Sequence, residues 1–189
     1  ADGNVKKINS YITKKVADKL NDLFKSDRAG YEQKWESIGL FVKYGMVSDE
    51  KFNDKAKKFA LLVNTEGEFH TLDEYTEKVA PIQTDKNENK VFLYTSDVAK
   101  QDSYIHQAKK KGYDVLVLDG VLDSHFIGAL ERSLEKTTLK RVDADLADKL
   151  IDTGETIESI LSEDDQEKVK GIFKKAIGNE QAQVVVESM

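Results

Sequence analysis

Cysteine occurs nowhere in the 189 residues. Structural disulfides and thiolate metal centres are therefore excluded, and the composition suits a reducing compartment. Proline occurs once, at Pro81. Basic charge is also short: 29 Lys and Arg against 35 Asp and Glu leave a formal net charge of −6. Such a chain is not expected to bind phosphate backbones in general, so nucleic acid is not an expected partner. No apolar run approaches the ~20 residues that cross a bilayer, and the opening ADGNVKKINS lacks the apolar core of a secretory signal, so no membrane partner is expected either.

Hydrophobic residues make up 39% and charged residues 34%, the balance of a globular protein with a heavily charged surface. The length allows one good-sized core or two small ones. The chain opens on Ala1 and enters a helical pattern almost at once. It closes on QAQVVVESM, an apolar strand pattern that wants a neighbour. Both ends are therefore expected to continue into a larger protein.

From Asn4 to Phe24, Val5, Ile8, Ile12, Val16, Leu20 and Leu23 recur in steps of three and four, which predicts one helix with one apolar face. Lys6, Lys7, Lys14 and Lys15 read as its solvated side. Asp27 and Gly30 supply turn chemistry. A second helix is predicted over Tyr31–Tyr44, with Tyr31, Trp35, Ile38, Phe41 and Val42 inward, Gly39 at a close helix approach and Gly45 as its stop. A third begins at Asp49 with Ser48 as N-cap and Phe52, Ala56, Phe59 and Ala60 on one face. After Leu61–Val63, Thr71 and Glu74 form a capping box for a short helix with Leu72, Tyr75 and Val79 inward, ended by Pro81.

Asp85–Asn89 is a polar loop, and an alternating series follows. Val91–Thr95 reads as a buried strand and Asp97–Lys111 as a helix capped by Ser96 and stopped by Gly112. Tyr113–Leu118 reads as a strand, Asp123–Leu134 as a helix and Thr138–Val142 as a weaker strand. Short strand–helix–strand connections predict a parallel sheet with right-handed crossovers. Residues Asp143–Glu167 are acidic and poorly periodic, which reads as linker, with a domain boundary near Asp143–Leu161. A last helix is predicted over Ser162–Ile177, with Ser162 as cap, Val169, Ile172, Phe173 and Ile177 inward, and Gly178 as terminator. The expected fold class is α/β. A three-helix unit (1–63) precedes a small three-layer α/β/α unit with a mostly parallel three-stranded sheet (64–148). A linker, a helix and a strand of a truncated further domain follow (149–189).

Chemical motifs are sparse. The strand–helix turns TSDVAK and LDGVLDS are not glycine-rich phosphate cradles. His70, His106 and His125 stand far apart and form no metal-binding pair, and no GxSxG elbow is present. Asp119 and Asp123 lie near a strand end, where paired carboxylates do acid–base work or hold a metal, although Asp123 reads more simply as a helix N-cap. No catalytic, cofactor-binding or metal residue is therefore expected. His125, Phe126 and Ile127 open a helix consecutively and cannot all face inward, so one or two should show at the surface; either Phe126 or Ile127 packs against the acidic linker, or the run offers a weak apolar contact site for another protein.

The strings YEQKWESIGLFVKYG, DEKFNDKAKKFALLV, TLDEY, KVFLYTSD and KKKGYDVLVLDGVLDSHFIGAL occur in this order. Together the series resembles the later part of the middle domain of the heat-shock protein 90 chaperones, called HtpG in bacteria. KKINSYITKKVADKL is similar to the family helix that follows its ATPase-completing loop, and the last ~25 residues resemble the start of the family's C-terminal domain. The resemblance implies a cytoplasmic, dimeric, ATP-driven chaperone that binds partly folded client proteins. Its ATP and magnesium site lies in a separate N-terminal domain, and its catalytic arginine lies in a loop before the first helix seen here. It implies a monomeric coupling scaffold without nucleotide chemistry or cofactor of its own. Its partners would be clients and the other domains of the same chaperone.

Bacterial members carry a client-contacting patch on the helix opening at Asp123, which makes Ser124, His125, Phe126, Ile127 and Gly128 the candidate contacts. Ser124 and His125 stand where those members have an acidic residue and a tryptophan, and Gly128 where they have a polar residue. The main alternative is a small stand-alone α/β enzyme or nucleotide-binding domain that uses Asp119 and Asp123.

Overall fold

The computed structural model describes residues 2–154 and 163–178. Two compact units divide the chain, Ala1–Thr153 and Gly154–Met189.

The first unit begins with three helices, α1 (Asp2–Ser26), α2 (Arg28–Ser48) and α3 (Glu50–Ala56). Asp27 makes the break between α1 and α2: its carboxylate accepts from the Gly30 amide at 2.9 Å and caps α2. Tyr31 then enters the core and donates its hydroxyl to the Phe59 carbonyl at 2.9 Å, tying α2 to the chain beyond α3. Burial raises the pKa of that phenol, so it stays a donor. Lys55 on α3 reaches Asp18 on α1 at 2.8 Å.

Several helix expectations are corrected here. The second helix does not stop at Gly45 but runs to Ser48, whose hydroxyl bonds back to the Tyr44 carbonyl. Gly45 serves packing instead, because a Cβ there would lie 2.6 Å from the Phe52 ring. Gly39 likewise makes room for Trp35 of its own helix, 2.9 Å from where a Cβ would stand. Asp49, not Ser48, caps α3 by accepting from the Phe52 amide at 2.8 Å. Phe41, expected inward, is 74% exposed. The predicted apolar face of α1 is covered only from Ala17 onward; Val5, Ile8, Ile12 and Val16 are all exposed.

A two-stranded antiparallel hairpin follows, β1 (Leu61–Val63) and β2 (Phe69–Thr71), in the register Leu61↔Thr71 and Val63↔Phe69. Buried Asn64 builds its turn by accepting from the amides of Glu66 and Glu68 at 3.0 and 2.9 Å. Next comes α4 (Leu72–Val79), with the predicted capping box between Thr71 and Glu74 in place and Leu72, Tyr75 and Val79 buried.

The main sheet has β3 (Lys90–Thr95) at its centre, flanked by β4 (Val115–Val117) and β5 (Thr137–Arg141), all parallel, in the order β4-β3-β5. Period-two alternation divides its side chains between two cores. Phe92 and Leu116 face the core shared with the helical unit, α4 and α6 (Asp123–Ser133). Val91, Leu93 and Val115 face a second core with Ile105 and Ala108 of α5 (Asp102–Lys110). The expected three-layer α/β/α arrangement is what forms, and it holds because both faces of a parallel sheet must be covered. Tyr75 and Phe92 meet edge to face at 4.8 Å, an arrangement worth about 0.5–1.5 kcal/mol beyond burial.

Two helix starts differ from expectation. The β3–α5 connection first makes a turn around Asp97, so α5 begins at Asp102 and Ser96 caps nothing. Leu122, not Asp123, occupies the cap position of α6, because the Asp123 side chain is drawn to other partners. Gly112, at φ +80°, closes α5 as predicted.

The acidic stretch after Val142 is not all linker. A 3₁₀ turn at Ala147–Lys149 delivers Leu150 and Ile151 into the second core, and Lys140 donates to the Leu150 carbonyl at 3.1 Å.

In the second unit, α7 spans Glu163–Ile177 and Gly178 follows at φ +67°. Of its predicted inward face, Val169 is half-buried while Ile172, Phe173 and Ile177 are exposed. The predicted cap Ser162 and the closing strand within 181–189 lie outside the described residues.

Candidate functional site

Ligands of open parallel sheets gather beyond the strand C-termini, so the two turns there are the first place to look for a nucleotide site. In the β3–α5 turn three backbone amides are engaged by side chains of the turn itself. Ser96 donates its amide to the Gln101 side-chain carbonyl at 3.0 Å, Asp97 to the Thr95 hydroxyl oxygen at 3.3 Å, and Lys100 to the Asp97 carboxylate at 3.1 Å. The Thr95 hydroxyl itself donates to Gln101 at 2.6 Å. The Asp97 carboxyl is held below the ordinary carboxylate range, first by the Lys100 amide. In the β4–α6 turn, the Gly120 amide is taken by Asp123 at 2.9 Å. The Ser96, Asp97 and Lys100 amides of the first turn and the Gly120 amide of the second thus already have side-chain partners within their own turns.

Asp123 and Asp119 do not form a working pair either. Asp123 has a side chain only 4% exposed, and both its oxygens are committed, Oδ1 to Lys43 Nζ at 2.6 Å and Oδ2 to the Gly120 amide. The Lys43 ammonium also lies over the Phe126 ring, 5.3 Å from its centroid. Asp123 is thus a tie between α2 and α6. Asp119 is exposed on the turn.

The five contact candidates on α6 separate by helical geometry. Ser124 and His125 are exposed, Ile127 and Gly128 are half-exposed, and Phe126 is wholly buried in the main core. Phe126 is therefore withdrawn as a surface contact: its ring is part of the seam with α2. The alternative that it leans on the acidic linker is corrected at the same time.

The histidines stay apart in function. His70 lies near Glu68 and Lys78 and its ring faces Tyr75 at 5.8 Å, while His106 and His125 are exposed on separate helices. Among the described residues no group of three or more His, Asp or Glu gathers in a way that could hold a metal ion.

Two apolar surfaces run along opposite sides of α2. One, of about 560 Å³, lies between α1 and α2 and is lined by Ile12, Val16, Leu20, Phe41 and Phe52. The other, of about 350 Å³, lies between α2 and the β4–α6 turn; Leu40, Val117 and Leu122 line it with Glu36 and Asp119 at its rim. Sequence reasoning missed both, because it assigned Phe41 inward and left Leu40 unremarked. No local signal could have placed Leu40 opposite Leu122.

The family model described as Hsp90 protein matches residues 2–189. The chain belongs to the Hsp90 family. Its relatives include the HtpG chaperone protein of Porphyromonas gingivalis, 47% identical over 174 residues (92% of this chain, 25% of the relative). The Bacteroides fragilis HtpG is 44% identical over 177 residues (94% and 26%). The more distant HtpG of Serratia proteamaculans is 28% identical over 177 residues (89% and 27%). This Hsp90-family chain therefore spans about a quarter of the length of the relatives it matches. Among solved structures, the middle domain of a Plasmodium falciparum protein described as a heat shock protein superposes with a TM-score of 0.60 at 18% identity, over 77% of this chain and 60% of that one. At that identity the likeness concerns the fold, and the fold is that of an Hsp90 middle domain.

Proposed function

We propose that this chain acts within an ATP-dependent HtpG-type chaperone as a coupling scaffold. On this reading it also presents a contact surface to partly folded client proteins. The observation that carries the reading is the similarity to HtpG chaperones along 94% of the chain at 44% identity. Two features of the molecule agree with it. The helical layer and the sheet share one core, an arrangement suited to passing motion from α2 to the sheet. On α6, Ser124, His125, Ile127 and Gly128 leave a shallow, mixed surface suited to weak, adaptable contacts.

In this reading nucleotide chemistry, with its ATP and magnesium, belongs to other parts of the whole chaperone, and this chain carries neither catalytic residue nor cofactor. The engaged amides of the two sheet turns support that division. Its partners are client polypeptides and the chaperone's other domains, rather than nucleic acid or membrane. The whole protein works as a homodimer in the cytoplasm, whereas the 189-residue chain alone is a monomer.

Amide-shift mapping of the chain with reduced, carboxymethylated α-lactalbumin, a permanently unfolded protein, tests the client surface. Shifts at Ser124, His125, Ile127 and Gly128 are the expected result. Binding that leaves those four amides unmoved overturns the assignment. Titration calorimetry with ATP and magnesium tests the rest: saturable heat from this chain would favour a nucleotide-binding domain instead.

A further inference from the structure

The groove between α2 and the β4–α6 turn carries an unbalanced charge pattern over an apolar floor. Trp35, Val63 and Val117 form the floor and Leu40 and Leu122 the walls. Four charged side chains line it: Glu36, Lys43, Asp119 and Asp123. The cation is spent, because Lys43 Nζ sits 2.6 Å from Asp123 Oδ1. Glu36 and Asp119 are exposed, and neither has an ion pair or side-chain hydrogen bond among the described residues. The α6 N-terminus adds a partial positive charge of about one half, and Asp123 in its first turn opposes it. The two free carboxylates therefore dominate the field at the mouth of the groove.

We propose that this groove takes an extended apolar polypeptide segment with Lys or Arg beside its apolar residues. The apolar side chains would seat between Leu40 and Leu122, and the cations would meet Glu36 and Asp119. This selectivity deepens the client-binding reading and rests on it. An acidic segment would bring like charge against both carboxylates, and a neutral one would shield them from water without compensation. The groove adjoins the α6 surface, since Leu122 and Asp123 line it and Ser124 and His125 follow directly. A partly folded chain would thus be read for charge at one end of its footprint.

The test uses the 189-residue chain and a short fluorescein-labelled peptide with three apolar residues between two lysines. Its counterparts carry glutamine or glutamate instead of lysine. Fluorescence anisotropy at low salt is expected to show the lysine peptide binding more tightly than the glutamine peptide by between about threefold and tenfold, the range two exposed ion pairs supply. That preference should shrink in 0.5 M NaCl and vanish in the double variant Glu36→Gln/Asp119→Asn, which should bind the lysine and glutamine peptides alike. The net negative charge attracts any cationic peptide, so Glu77→Gln/Asp102→Asn, which removes two carboxylates elsewhere, is the control and should keep the preference.

Equal loss in both double variants, or a preference that survives in the groove variant, overturns the proposal. If the peptides bind with shifts at Ser124 and His125 but without charge preference, client binding stands and the groove selectivity falls. If none binds, both fall. Shifts at Leu40 and Leu122 that grow with protein concentration in the absence of peptide would assign the groove to a second copy of the chain and likewise overturn it.

Discussion

Lys43 and Asp123 are unequal members of one bond, and the inequality predicts which loss matters more. Removing the ammonium leaves a carboxylate, 4% exposed, with only the Gly120 amide for compensation. Removing the carboxylate leaves a lysine whose side chain is 17% exposed, against 4% for the aspartate, and whose ammonium still lies over the Phe126 ring. Breaking a buried pair costs about 3–5 kcal/mol when the remaining charge is stranded. Lys43→Met should therefore lower stability by about 3 kcal/mol and Asp123→Asn by distinctly less, as read from urea midpoints. Equal losses would mean that the stranded carboxylate finds water. The sequence suggested that Asp123 caps its own helix, and the local string LDGVLDS supports nothing better. The partner that decides its role stands 80 residues earlier, where no windowed reading reaches it. His125 and Phe126 show the converse: that the run could not all face inward was legible, whereas which residue turned inward depended on α2.

Helices and their junctions were legible where the signal was local. The capping box at Thr71 and Glu74 lies within four residues and formed as read. The hairpin β1–β2 escaped, because strands of three residues leave no period to detect, and Gly45 was misread because a glycine near a helix end signals a stop unless a ring needs its place. Gly45→Ala sets about 1 kcal/mol of helix propensity against a Cβ 2.6 Å from the Phe52 ring. Overpacking costs about 1–3 kcal/mol, so a net loss of about 1 kcal/mol is expected in urea unfolding, and a stabilised variant would show that Phe52 yields freely.

The junction of α2 with α4 carries a pH dependence. Arg28 donates to both oxygens of Glu74 at 2.8 Å, and chiefly through that bond the Glu74 carboxyl is pulled down to about 2 from an ordinary 4.5. A carboxyl depressed in the folded state contributes stability that is whole above its unfolded value and fades as pH falls from 4.5 toward 2. Glu74→Gln should thus be less stable than the parent at pH 7, and the difference should narrow as pH drops through that window. A difference that stays constant with pH would place the effect in the capping box alone.

The architecture was the most legible level. Alternating strand and helix patterns with short connections leave few topologies, and the parallel order β4-β3-β5 with both faces covered is one of them. The extent of cooperation was not legible, because composition sees Asp and Glu after Val142 and cannot see Leu150 and Ile151 entering the core. Leu150→Ala should cost about 3 kcal/mol, as core truncations of this kind do. A larger consequence concerns the proposed division at residue 63. Phe92 of the sheet lies in one core with Tyr31, Trp35 and Val42 of α2. If that shared core makes 2–153 a single cooperative body, Phe92→Ala should lower hydrogen-exchange protection of the α2 amides and the β4 amides by the same free energy, about 3–5 kcal/mol. Should α2 keep its protection while β4 loses its own, the helical layer would be a foldon of its own. The chain would then transmit motion through a soft joint rather than a stiff one.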